Sequence, residues 1–403
     1  MENIRPIISR CQMIPLLLLA FLLPVLSTLS GRHVYILLLL VAIGVLVSGW
    51  RKLFSPTAFW RAPLLILLVL SGVWGAASLS WSVNPEAAKS ILMRAGMLTI
   101  TGALALTVIS RLSLSEMQFA SICRAFLAGM AVAVVSIASI ILCEGGIVAF
   151  LSEHLSKSGG YSPNSIKQGN LLMAILVWPL HIILLAQGRR KLAFAILPVA
   201  LLLLWFMPSR TAIASLLASL CFYGVILSFN RVWQLALSCV ALCVTWWGVL
   251  LALPRLALPG MWDAHNMAPS FVHRLHIWQF TIEKIAERPL LGWGLKSSDN
   301  LPEVTKLTQN LHPHHNFLQA WLDFGLPGVL MYIGLTMLAL LGIFRLHIEN
   351  RVVNAAAYAA VICALVGGMA GFGLWQSWWL SGNILIAALM ALIMRHLAER
   401  KIA

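Results

Sequence analysis

Apolar runs of roughly 17–25 residues, enough to cross a bilayer as a helix, recur along most of this chain with short polar turns between them. They lie near 12–29, 34–50, 62–80, 90–110, 121–143, 168–186, 192–207, 211–228, 232–254, 327–344, 355–372 and 376–394, and predict twelve membrane-spanning helices. Two longer segments interrupt the pattern, at 144–167 and 255–326. The second is too long to be a mere connector, and structureless connections of such length in compact proteins are usually functional. The expected organisation is nine spans in 1–254, a catalytic or binding loop in 255–326, and three more spans in 327–403.

Composition agrees: 60% of the 403 residues are hydrophobic and 10% charged, an all-α polytopic membrane protein by class. The net charge of +15 does not point to nucleic acid, because the basic residues are scattered through short turns. Their distribution sets an orientation instead. Arg51, Lys52, Arg111, Arg189, Arg190, Lys191, Arg231, Arg345 and Arg351 fall on the side of the termini, against Arg32, Lys89 and Arg210 in the opposite turns. By the excess of positive charge in cytoplasmic loops, both termini are expected in the cytoplasm and the long loop outside. None of the seven cysteines lies in that loop, which argues against a disulfide framework or a cysteine zinc site there.

Six of the eleven histidines do lie in it, three of them in "HPHHNFLQ", 312–319. Upstream, "SFVHRLHIWQFTIEKIAER" spaces Phe271, Leu275, Trp278, Ile282 and Ile285 as one helical face, with Pro289 as its stop and "PLLGWGL" as a glycine-rich turn. A second loop helix is expected from about Pro313 to Gly325, with His314 and His315 in its opening turn. There the helix dipole favours neutral imidazole, and free N–H groups could hold an anion. His265, His273 and His276 read as solvated loop residues. The adjacent His314 and His315 diverge on a helix and lack an HExxH pattern or a carboxylate triad, so no metal is expected. Arg210, in "MPSRTA", is a cation where positive charge is disfavoured. It reads either as an arginine reaching lipid phosphate or as a planar fork for a phosphate substrate, and Arg274 could add a second.

In order, "SRTA" (209–212), "HRLHIWQFTIEKIAERPLLGWGL" and "HNFLQAWLDFGLPG" resemble the O-antigen ligase and polymerase superfamily. The motif matches cover about 205–330, and "YSPNSIKQGN" around Asn164 is similar to a further family segment. The resemblance implies a GT-C-like, metal- and cofactor-independent glycosyltransferase of the bacterial inner membrane. Its donor would be a glycan on undecaprenyl pyrophosphate, and its acceptor the sugar of lipid A–core, at the outer face. Carried onto this chain, the family's functional residues are Arg210, Arg274 and His315, with His314, Asn316 and Asn164 as further substrate-binding candidates. His315 would be the general base and the arginines would stabilise the departing pyrophosphate. With no carboxylate nucleophile in the motif, direct displacement with inversion is expected, and Asp323 reads as structural. The alternatives are an O-antigen polymerase, a protein O-oligosaccharyltransferase, and a lipid-linked glycan transporter. A transporter would place its charges at mid-membrane, whereas these polar residues gather at one surface.

Overall fold

The computed structural model describes residues 10–29, 31–53, 63–142, 163–256, 269–298, 300–302 and 312–400. His265, Glu303 and most of the outer segment 144–167 lie outside the described residues. Thirteen α-helices and no strand occur among those described: α1 Arg10–Leu29, α2 Val34–Leu53, α3 Pro63–Ser78, α4 Pro85–Ile109, α5 Glu116–Leu142, α6 Pro163–Ala186, α7 Arg190–Trp205, α8 Arg210–Ile226, α9 Arg231–Leu256, α10 Pro269–Glu287, α11 Asn316–Arg345, α12 Arg351–Ala370 and α13 Ser377–Glu399. A helix lies over each of the twelve apolar runs, and α10 is the expected loop helix.

Seven of these helices, α1, α4, α5, α6, α11, α12 and α13, are long and apolar enough to cross a membrane, and α2, α3, α8 and α9 carry shorter apolar stretches. The chain is an all-helical, multi-pass membrane protein.

Helix α6 is the hub: it packs on α1, α7, α8, α12 and α13, and 83% of its apolar window is buried against 22% for α11. Small residues make that possible. A Cβ on Gly169 of α6 would collide with the Ser27 carbonyl of α1, and one on Gly382 of α13 would collide with Leu172. Lipid gives helices no hydrophobic drive to associate, so such close backbone approach and its dispersion contacts hold the bundle together.

Two expectations about the long loop change in the structure. Helix α11 starts at Asn316, not Pro313, because His315 caps it: the Leu318 N–H donates to His315 Nδ1 at 3.3 Å. Gly325 is a break and not an end, with φ 64° and ψ −152°, and the chain resumes at once as helix. Only glycine suits that point, since a Cβ there would strike the Leu290 carbonyl. The "PLLGWGL" turn docks on the break: Trp293 N–H donates to Leu322 O at 2.8 Å, Gly294 N–H to Asp323 O at 2.9 Å, and Leu326 N–H to Leu290 O at 3.2 Å.

Candidate functional site

Tryptophan indoles cross-link the long loop and tie it to α3. Trp278 Nε1 donates to Pro313 O at 2.9 Å, Trp293 to Lys284 O at 2.7 Å, Trp321 to Pro289 O at 3.0 Å, and Trp74 of α3 to Phe324 O at 3.0 Å. Each ring covers apolar area while its N–H donates to a backbone carbonyl. Helix α10 turns its predicted face inward, with Leu275 and Ile285 buried against α9 and α11.

His312, His314 and His315 therefore stand on a firm base, and their nitrogens differ. The His315 ring is 1% exposed. Its Nδ1 accepts from Leu318 N–H, so in the neutral ring the proton sits on Nε2, which is buried without a partner among the described residues. Burial pushes this histidine down to about 3. His314 has the opposite arrangement. Its Nδ1 lies 2.7 Å from the Gly371 carbonyl, which can only accept, so Nδ1 carries the proton and Nε2 keeps a lone pair. The ring is half-buried, and Nε2 makes no hydrogen bond among the described residues. The free basic nitrogen of the pair belongs to His314.

Backbone and charge bear on the same residue. His314 sits at φ 56°, a left-handed conformation that non-glycine residues adopt rarely and that tends to mark functional sites. Burial lowers its pKa first; the Gly371 hydrogen bond opposes this, and Arg274 and His273 reinforce it. The expected opening-turn dipole is not the main cause, since neither His314 nor His315 lies within the helix. His312 stacks at 4.2 Å from His314, tilted, and falls to about 3 through burial, then His314, Lys296 and Arg274. Arg274 of α10 is near enough for its charge to act on both rings.

Arg210 is the first residue of α8, exposed, with Ser209 capping the helix by accepting from Ala212 N–H at 3.4 Å. Its neighbour Thr211 donates to Ala370 O at 3.0 Å, one residue from the carbonyl that holds His314. The start of α8 and the histidines therefore flank the same end of α12. Asn316 faces elsewhere: it is buried, and a Cβ on Gly368 of α12 would collide with its Nδ2. Asn164 stands in the first turn of α6; its side chain lies outside the described residues.

Sequence reasoning missed the turn 371–376 between α12 and α13. Besides Gly371 it offers Leu374 N–H to Gln319 Oε1 at 2.7 Å and Trp375 Nε1 to Asp323 Oδ2 at 2.6 Å, and Gly373 lies against His312. The signal was a Gly- and Trp-rich joint, "GFGLWQSWW", on the side of the membrane where the long loop was expected. The arrangement offers an unprotonated nitrogen and a nearby guanidinium, while Asp323 is fully buried and tied to Trp375. That set suits proton abstraction beside an anion, not attack by a carboxylate.

Residues 174–333 match a family model described as O-antigen ligase. A "Putative polysaccharide ligase" of Rickettsia conorii is 30% identical over 244 residues, covering 57% of this chain and 58% of the relative. Its namesake in Rickettsia typhi is 28% identical over 250 residues, covering 57% and 59%, and that of Rickettsia felis 30% over 244 residues, covering 57% and 58%. The chain thus spans under two thirds of the length of the curated relatives it matches.

Proposed function

We propose that this chain, whose residues 174–333 match a family model described as O-antigen ligase, transfers a glycan from a lipid pyrophosphate to a sugar hydroxyl. The donor is undecaprenyl-pyrophosphate-linked O-antigen and the acceptor lipid A–core. The protein sits in the bacterial inner membrane with twelve spans, cytoplasmic termini and a periplasmic site. The observation that carries the reading is His314 Nε2, which makes no hydrogen bond among the described residues and lies within reach of the Arg274 charge.

In the reaction, His314 Nε2 takes the proton of the acceptor hydroxyl as its oxygen attacks the anomeric carbon. The bond from that carbon to the pyrophosphate oxygen breaks, and the pyrophosphate leaves with the electron pair. Arg274 and Arg210 offset its growing charge, as positioned cations do in a water-poor site. A single displacement of this kind inverts the anomeric centre. The imidazolium that forms is held by its Nδ1–H bond to Gly371. Before the donor arrives, Arg274 disfavours that cation; the bound pyrophosphate reverses the local field. This reading moves the base from His315 to its neighbour and leaves His315 as the cap that starts α11.

The test is transfer from purified undecaprenyl-pyrophosphate glycan to purified lipid A–core with chelator present. Lipid A–core carrying the glycan is the expected product. Donor lengthened into longer lipid-linked chains would instead make the protein a polymerase, and no reaction of either kind would remove the enzymatic reading.

A further inference from the structure

Asp323 is the one fully buried carboxyl group among the described residues, and the proposed reaction gives it no part. Oδ2 accepts from Trp375 Nε1 at 2.6 Å, while Oδ1 makes no hydrogen bond among the described residues, although the backbone N–H groups of Lys296 and Ser297 lie nearby. Its carbonyl accepts from Gly294 N–H at 2.9 Å. One residue therefore ties together three segments distant in sequence: α11, the turn 289–298, and the turn 371–376.

The last of these sets His314. Trp375 lies four residues beyond Gly371, whose carbonyl takes the His314 Nδ1–H at 2.7 Å. Between them, Leu374 N–H is held by Gln319 Oε1, Gly373 abuts His312, and Trp375 packs at 5.3 Å against Phe324. The turn thus has several anchors on the 312–324 segment, and Asp323 supplies the one made by a carboxyl group. This anchor is the shortest of the turn's hydrogen bonds to that segment, at 2.6 Å against 2.7 Å for those of Leu374 N–H and His314 Nδ1, and its acceptor is fully buried.

We propose that Asp323 is a positioning residue: by holding Trp375 it fixes the turn 371–376, and with it the Gly371 carbonyl that keeps the His314 proton on Nδ1 and the lone pair on Nε2. This rests on the proposed role of His314. Its test includes a measurement that needs no donor, so that a wrong donor and a wrong positioning role give different results.

Trp375→Phe removes the donor to Asp323 while keeping an aromatic ring on Phe324, and Asp323→Asn keeps an oxygen that can accept from Trp375. The titration of His314 is followed by ¹⁵N NMR of histidine-labelled full-length protein in detergent, with His314→Asn identifying the signal. Facing that ring are His312 on its own segment, His273 and Arg274 on α10, and the Gly371 carbonyl; Lys296 lies against His312. The Gly371 bond favours imidazolium, so loosening it in Trp375→Phe shifts the midpoint to lower pH, while Asp323→Asn stays near wild type. In the transfer assay, Trp375→Phe loses about 10–100-fold in kcat per folded protein, by analogy with groups that orient a reactive ligand, at unchanged donor KM. Asp323→Asn recovers most of that loss. An unmoved His314 midpoint in Trp375→Phe overturns the proposal, as does an equal shift in both variants. A shifted midpoint in protein that transfers nothing even as wild type would leave the positioning role standing and refute the assigned reaction.

Discussion

Two buried histidines in this molecule have opposite accounts. His181 of α6 is fully buried with both nitrogens engaged, Nδ1 at 2.7 Å from Ala193 O and Nε2 at 2.9 Å from the Tyr223 hydroxyl. His315 is almost as buried, yet its Nε2 has no partner among the described residues, and the same holds for His312 Nε2 and Asn316 Oδ1 close by. A buried polar group left unpaired costs roughly 1–3 kcal/mol, so a region that collects several is not arranged for stability alone. Around His181 the bundle follows the ordinary rule, and Gln234 is likewise satisfied by Asn354, Ile226 and Arg351. At the 312–316 segment it departs from that rule, next to a left-handed His314 and a cation. Unpaired atoms also occur elsewhere in the bundle, as at Gln168, Asn170 and Tyr358 among the described residues; what sets 312–316 apart is that three gather within five residues.

Substitutions can break or sharpen this contrast, and the largest effect belongs to His314. His314→Asn keeps a residue that tolerates left-handed backbone and can donate to Gly371, but removes the base. Transfer should fall about 10²–10⁴-fold, the usual worth of a general base, with the amount of inserted protein unchanged. Arg210→Lys comes next: a point charge cannot reproduce the planar fork, and the loss should approach ~10²-fold, as for removal of one stabilising donor, measured as kcat/KM. His181→Phe should do the reverse of both. It leaves the Tyr223 hydroxyl unpaired and lowers stability by about 1–3 kcal/mol, seen as an earlier thermal transition in detergent, with transfer per folded molecule intact. The smallest effect is expected for His315→Asn, because asparagine is a good helix cap. Transfer that collapsed in that variant would return the base to His315.

The bundle was legible because spans are a one-dimensional property: each of the twelve apolar runs has a helix over it, and seven of those helices are long and apolar enough to cross a membrane. The α10 face and the stop at Pro289 were legible for the same reason, as local periodicity and a local breaker. The site was legible only as a set of residue types. That Arg274 and a histidine of "HPHH" would serve one site was implied only by the family resemblance. Which histidine keeps a free nitrogen could not be read at all, because the answer depends on Leu318 N–H for one ring and on Gly371, 57 residues away in sequence, for the other. Asp323 was expected to be structural at the end of a helix. Its bond to Trp375 gives that a specific content which no local pattern contains.

The most direct test of the account is the pH dependence of kcat/KM for wild type and His314→Asn. A base works only when neutral, and burial with Arg274 and His273 nearby holds His314 below its ordinary 6.5. Wild-type transfer should therefore be level at neutral pH and fall only as pH drops through a midpoint below 6.5, while the residual rate of His314→Asn loses that limb. The same limb surviving in His314→Asn would contradict the assignment of the base.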